Sequence, residues 1–137
     1  MNNVKTKLST LEKKLDKIFS EYIRLNYSDD WGFCTCVNCG KRRFWRDIDA
    51  GHFYSRRNKS VRWDEMNVHP ECMYCNRFSS EPKIGYMNYM LETYGSEKIV
   101  GLTDRKNITK KWSRAELQEL IDIYTERVKQ LKREKEL

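Results

Sequence analysis

With 137 residues the chain has the length of one domain, and 39% hydrophobic against 34% charged residues, at a mean hydropathy of −0.88, leaves a modest core under a solvated surface. No apolar run approaches the roughly 20 residues of a membrane span, the opening MNNVKTKLSTLEKK has no apolar signal core, and four Trp with eight Tyr argue against disorder. The net charge of +7 is local: between Lys41 and Arg62, eight cations face two acids, as an anion-binding surface requires.

From the N-terminus, Val4, Leu8, Leu11, Leu15, Ile18, Tyr22 and Leu25 alternate steps of four and three. This is the stripe of an amphipathic helix and predicts one over about Val4 to Asn26, broken by Ser28-Asp29-Asp30-Trp31-Gly32. Residues 33–80 hold all five cysteines and both histidines. Here the pattern predicts a knuckle at 36–39, strands around 43–53 and 61–69 joined by a polar connection at Arg56–Ser60, and a helix from near Cys72. Glu81-Pro82 opens a further helix carrying Ile84, Met87, Met90, Leu91 and Tyr94, with Gly95 as its cap and a short helix at 96–102 after it. Ser113-Arg-Ala-Glu116 is a capping box before a last helix with Leu117, Ile121, Tyr124, Val128 and Leu131. The expected architecture is α+β: one domain over 1–137, with an N-terminal helix (1–30), a cysteine-rich centre (31–80) and C-terminal helices (81–137). The two terminal helices can pack on each other or build a dimer, and their pattern allows both.

Cys36-Val-Asn-Cys39 and Cys72-Met-Tyr-Cys75 are paired knuckles. In a reducing compartment such thiolates bind metal rather than form disulfides, and two C-x-x-C turns close a tetrahedral structural zinc. Cys34, the fifth thiol, reads as a buried spectator.

Asp49-Ala-Gly51-His52 precedes Asn67-Val-His69-Pro-Glu-Cys72-Met-Tyr-Cys75-Asn76. A histidine, an asparagine fifteen residues on, and a polar residue directly after a C-x-x-C resemble the ββα-metal (HNH-type) nucleases; Asn76 stands where that superfamily often has His, as in the endonuclease VII-like junction resolvases. The stretches C-V-N-C-G, D-A-G-H-F-Y-S-R, V-R-W-D-E-M-N-V-H and C-M-Y-C-N-R, with I-G-Y-M-N-Y-M-L and K-W-S-R-A-E-L, are similar to the phage lambda NinG (Rap) family of recombination endonucleases. The likeness covers about residues 10–130. It implies a zinc-stapled ββα-metal centre, an Mg²⁺- or Mn²⁺-dependent endonuclease acting on branched DNA such as a Holliday junction, a homodimer, and a phage or prophage protein in the cytoplasm of a bacterial host.

The residues carry a matching chemistry. An imidazole of ordinary pKa near 6.5 can take a proton from water at neutral pH, which makes His52 the candidate general base. Asn67, on the partner strand, is a candidate to hold the His52 backbone or ring. Asn76 and Asp49 are the oxygen donors for a hard catalytic cation. Many related nucleases have Asp directly before the histidine; here that position is Gly51, and Asp49 lies one pleat away. His69 is a candidate metal or phosphate contact. Arg43, Arg46, Arg56, Arg57, Lys59 and Arg62 are the candidate DNA contacts, and Trp45, Phe53, Tyr54 and Trp63 lie among them as candidates to stack on a base. Two rivals use the same residues: a zinc-stapled DNA-binding module without hydrolysis, and an HNH nickase on plain duplex.

Overall fold

The computed structural model describes residues 6–137; Val4, the expected first residue of the opening stripe, lies outside them. Four α-helices and two small antiparallel sheets make a mixed α+β architecture. Helix α1 (Leu8–Tyr27) buries Leu11, Leu15, Phe19, Tyr22, Ile23 and Leu25, the inward stripe and its flank. Helix α4 (Arg114–Lys135) starts on the expected capping box, with Ser113 Oγ accepting from Glu116 N–H and Glu116 accepting from Ser113 N–H.

These two helices pack on each other within one chain. Phe19 meets Tyr124 edge-on at 4.9 Å between ring centroids, an arrangement that complements the ring quadrupoles. The Tyr22 and Tyr124 hydroxyls donate to the two carboxylate oxygens of Glu65, each at 2.9 Å, tying the pair to the turn at Glu65–Asn67. Lys135 donates to the carbonyls of Leu25 and Ser28 at 2.7 and 2.6 Å, placing a cation on the negative end of α1. The apolar face of α1 is therefore occupied intramolecularly.

The centre differs from the two strands expected at 43–53 and 61–69. The first splits: β2 (Arg42–Phe44) pairs with β1 (Phe33–Thr35), and after a 3-10 turn at Trp45–Asp47 the chain joins a second sheet as β3 (Asp49–His52). Trp45 and Ile48 plug the core at this corner, so one straight strand cannot serve both sheets. The second is shorter: β4 is Val68–Glu71, preceded by 3-10 turns at Lys59–Val61 and Glu65–Asn67. In the β3–β4 register Gly51 faces His69 and His52 faces Val68. Gly51 is required by close approach, because a Cβ there would run into the buried Glu71 carboxylate, which Lys83 neutralises at 2.9 Å.

The helix expected from Cys72 is one short helical segment ending in a five-residue π turn, Tyr74–Phe78. Helix α2 (Ile84–Tyr94) ends at Gly95, and α3 (Ser96–Lys106) runs four residues beyond the expected 102. A small second core of Val61, Tyr86, Met90, Ile99 and Leu102 lies under α2 and α3. No helix among the described residues is long and apolar enough to cross a membrane.

Candidate functional site

The two C-x-x-C knuckles converge. The Sγ atoms of Cys36, Cys39, Cys72 and Cys75 all lie within 4.8 Å of one another, and Cys39 and Cys72 are 3.7 Å apart. A tetrahedral zinc with Zn–S bonds of about 2.3 Å puts its sulfurs about 3.8 Å apart, so the donor set fits the ion. Burial pushes the Cys36 and Cys75 thiols up, so deprotonating the cluster calls for a cation inside it. The four thiols can bind a metal such as zinc. The knuckles bring the 36–39 turn against β4, where Val37 N–H donates to Pro70 C=O at 3.0 Å. Cys34 stands apart, buried, its thiol donating to the Arg24 carbonyl at 3.1 Å.

Asn76 follows the last thiol directly and so inherits its position from the knuckle. Its amide donates to Asp49 Oδ2 at 2.9 Å. Arg77 grips the same carboxylate with two bonds, 2.8 and 2.7 Å. Asp49, at the head of β3, thus turns its carboxylate toward the π turn. His52, at the other end of β3, lines the same open cavity of about 520 Å³ with Asp49, Asn76 and Arg77; Arg56 and Asp16 of α1 complete its charged lining.

The tautomer of His52 follows from its partner. Nε2 lies 2.8 Å from the Arg62 carbonyl, which can only accept, so Nε2 carries the proton and Nδ1 keeps the lone pair. Burial is the main reason that its pKa lies below the ordinary 6.5, with the nearby Arg56 cation acting in the same direction. At pH 7 the ring is neutral and able to accept a proton.

Asn67 is wholly buried and outside the cavity wall. Its Oδ1 accepts from Tyr54 N–H at 2.8 Å, and its Nδ2 donates to the carbonyls of Tyr54 and Val61 at 2.9 and 3.0 Å. It therefore clamps both ends of the 54–61 loop rather than the His52 ring. Since Arg62 follows Val61, the same clamp sets the carbonyl on which the His52 ring rests.

Two expectations need correction. His69 does not reach the cavity. It is fully buried, with Nδ1 3.0 Å from the Tyr86 hydroxyl and Nε2 2.7 Å from that of Tyr94. The Tyr86 hydroxyl donates to Gly51 C=O at 2.7 Å, so it accepts from Nδ1–H, and Nε2 accepts from Tyr94. His69 thus belongs to a chain of hydrogen bonds that holds β3 from behind. Arg62, expected on the DNA surface, is only 16% exposed and binds Asp16 through two bonds, 3.1 and 2.6 Å, while Trp63 Nε1 donates to the same carboxylate at 3.0 Å. That arginine is spent on holding α1 to the centre.

Of the other cations, Arg56 lies at the cavity with its side chain 64% exposed, and Lys59 pairs with Glu12 at 3.2 Å. Arg43, Arg46 and Arg57 are exposed away from the cavity, with Arg46 stacked over Trp45 at 4.5 Å. Trp45 and Trp63 are buried and Phe53 and Tyr54 partly so, which leaves none of them free to stack as a base platform. Arg77 went unnoticed in the pattern although the Cys-Asn-Arg run contains it. Asp16 has no local signal at all, because only the packing of α1 brings it to the cavity.

The buried His69 makes a pH prediction. Burial holds its pKa at about 4 against 6.5 in the unfolded chain. The folded value is depressed, so the unfolded state binds the proton first on acidification. The contribution is intact above pH 6.5 and is lost as the pH falls toward 4, a change of roughly 3 kcal/mol. The imidazole NMR signals of His69 are expected to titrate near pH 4; a midpoint at the ordinary value would contradict its burial.

With this geometry in place, the comparisons with known proteins can be set beside it. A family model described as "Bacteriophage Lambda NinG protein" matches residues 2–135. The chain belongs to the NinG family. Two curated relatives, each named "Protein ninG", come from Escherichia phage 933W and Enterobacteria phage VT2-Sa. Each is 26% identical to this chain over 98 residues, which is 71% of this chain and 48% of the relative. The chain thus aligns with about half the length of these NinG proteins. No solved structure matches it. The matched region spans both knuckles, the β3–β4 hairpin and the cavity, so these features lie within the NinG portion of the chain.

Proposed function

We propose that this NinG-family chain is a metal-dependent endonuclease of the ββα-metal (HNH) type that cuts branched recombination intermediates such as the Holliday junction. One observation carries the reading: His52, with a lone pair on Nδ1, shares a cavity with an Asp49–Asn76 pair set directly behind a four-thiol cluster. In this reading β3, β4 and the helical turn after Cys72 are the ββα unit, and the thiol cluster is its zinc staple.

Asp49 and Asn76 suit a hard cation. Rotating the Asn76 amide exchanges its nitrogen for its oxygen and sets two oxygens side by side. Magnesium or manganese held there would supply Lewis-acid stabilisation of the leaving 3′ oxygen. The chain's own residues do the rest. His52 Nδ1 takes the proton of the attacking water, and the Arg62 carbonyl, held through Asn67, keeps the ring aimed and its tautomer correct. Arg77, released from Asp49 when a cation takes the carboxylate, and Arg56 neutralise the non-bridging phosphate oxygens. The products expected are a 5′-phosphate and a 3′-hydroxyl. Resolving a four-way junction takes two symmetric cuts, so the working unit is a homodimer in the cytoplasm of a bacterial host. Because α1 and α4 satisfy each other, the dimer contact lies elsewhere.

The test uses end-labelled four-way junction, flap, duplex and single strand, each incubated with and without magnesium. Magnesium-dependent nicking of the junction in preference to duplex is the expected result. Equal cutting of all forms would leave a nickase on plain duplex, and binding without cutting would leave a DNA-binding module.

A further inference from the structure

The Trp31 side chain is 78% exposed, at the tip of the loop that follows α1. Among the described residues its indole makes no hydrogen bond, ring contact or cation contact, whereas Trp45 and Trp63 are buried and Trp112 donates to the Lys59 carbonyl. The loop that presents it is built. Asp29 Oδ1 accepts from the Trp31 and Phe33 amides at 3.0 and 2.9 Å, and Gly32, at φ 90°, turns the backbone in a way a side chain would resist. The indole is therefore held out in water by a structured turn.

Its surroundings are aromatic and cationic. Phe33 is 41% exposed, the Arg42 guanidinium sits 5.8 Å from its ring centre, and Phe44 meets it edge-on at 5.8 Å. Lys41 and Arg43 are exposed on the same β1–β2 hairpin, and neither has a carboxylate partner among the described residues. An apolar protein surface would gain little from such a rim of cations, and a cationic one would be repelled. A flat, π-faced and polyanionic partner satisfies both features at once.

We infer that Trp31, with Phe33 and the Lys41–Arg43 cations, is a stacking platform for an unpaired DNA base. In plain duplex both faces of each base are already stacked, so the platform selects single-stranded or distorted DNA. The inference deepens the nuclease reading, on which its link to branched substrates rests. Ser20 lines the cavity from the middle of α1, and Tyr27 at its end lies roughly 10 Å further along the helix, about three nucleotide steps. Trp31 stands just beyond that end.

The test reads binding, not cleavage. Zinc-loaded full-length protein is titrated, without added magnesium and at fixed salt, into a labelled thymidine oligonucleotide of about 20 nucleotides and into a duplex of the same length. Trp31→Ala is expected to weaken oligonucleotide binding about tenfold, within the range for losing one stacked base, and to leave duplex binding nearly unchanged. Trp31→Phe is expected to keep most of the affinity. Oligonucleotide is also expected to quench the exposed-indole emission of the wild type. Equal losses on both probes, or none on either, would overturn the platform. So would a Trp31→Ala protein that loses self-association in sedimentation while binding oligonucleotide normally. Should wild type bind the oligonucleotide through Trp31 yet cut no branched DNA, the platform would stand and the nuclease reading would fall.

Discussion

His52→Ala is expected to lower magnesium-dependent junction cleavage by about 10²- to 10⁴-fold, the contribution of a positioned general base, while leaving junction binding nearly intact. The size of the effect follows from the geometry. The Arg62 carbonyl takes Nε2–H, so Nδ1 is the ring's only lone pair, and no other neutral nitrogen base lines the cavity. Asp49 cannot substitute, since Arg77 and Asn76 already hold its carboxylate. The pH profile provides a second check. Burial keeps the His52 pKa under 6.5, so the wild-type rate is expected to rise with pH through a midpoint below that value and to be flat at neutrality. Single-turnover cleavage, anisotropy with labelled junction, and a thermal melt of the variant separate chemistry from binding and folding. Undiminished cleavage by the alanine variant would remove His52 from the mechanism.

Metal withdrawal should have the largest effect on stability. Structural zinc is worth an apparent 10–16 kcal/mol in small domains, as much as or more than the entire 5–15 kcal/mol that holds a typical fold together. Here the four thiols bridge the 36–39 turn to the end of β4 and the π turn. The modest core cannot replace that bridge. Cys72→Ser, or a strong zinc chelator, is expected to abolish cooperative melting of the centre and with it the placement of Asn76 beside Asp49. Cys34→Ser is the control: its thiol contacts only the Arg24 carbonyl, so the variant should lose a small increment of stability and no zinc. Metal analysis with circular dichroism decides the matter, and a metal-free protein that melts like the loaded one would refute the staple.

The helices were readable from the chain alone because their information is local. Side chains three and four residues apart share a helix face, so α1 and α4 show in their stripes and the α4 boundary shows in Ser113 and Glu116. The four knuckle thiols were equally plain, since C-x-x-C geometry is a property of one turn. Asn76 was legible for the same reason, being adjacent to Cys75. Longer-range matters were not readable. Nothing near Arg62 in sequence says that Asp16, forty-six residues earlier, neutralises it. Strand parity put His69 beside Asn67, but parity does not say which side of a sheet faces Tyr86 and Tyr94 and which faces water. The pairing of α1 with α4 rather than with a second copy, the split of the first expected strand at Trp45, and the emergence of Trp31 instead of Trp45 or Trp63 as the exposed indole all turn on packing between distant segments. Periodicity records which residues want to leave water; which partner they leave it for depends on surfaces that exist only once the chain has closed on itself.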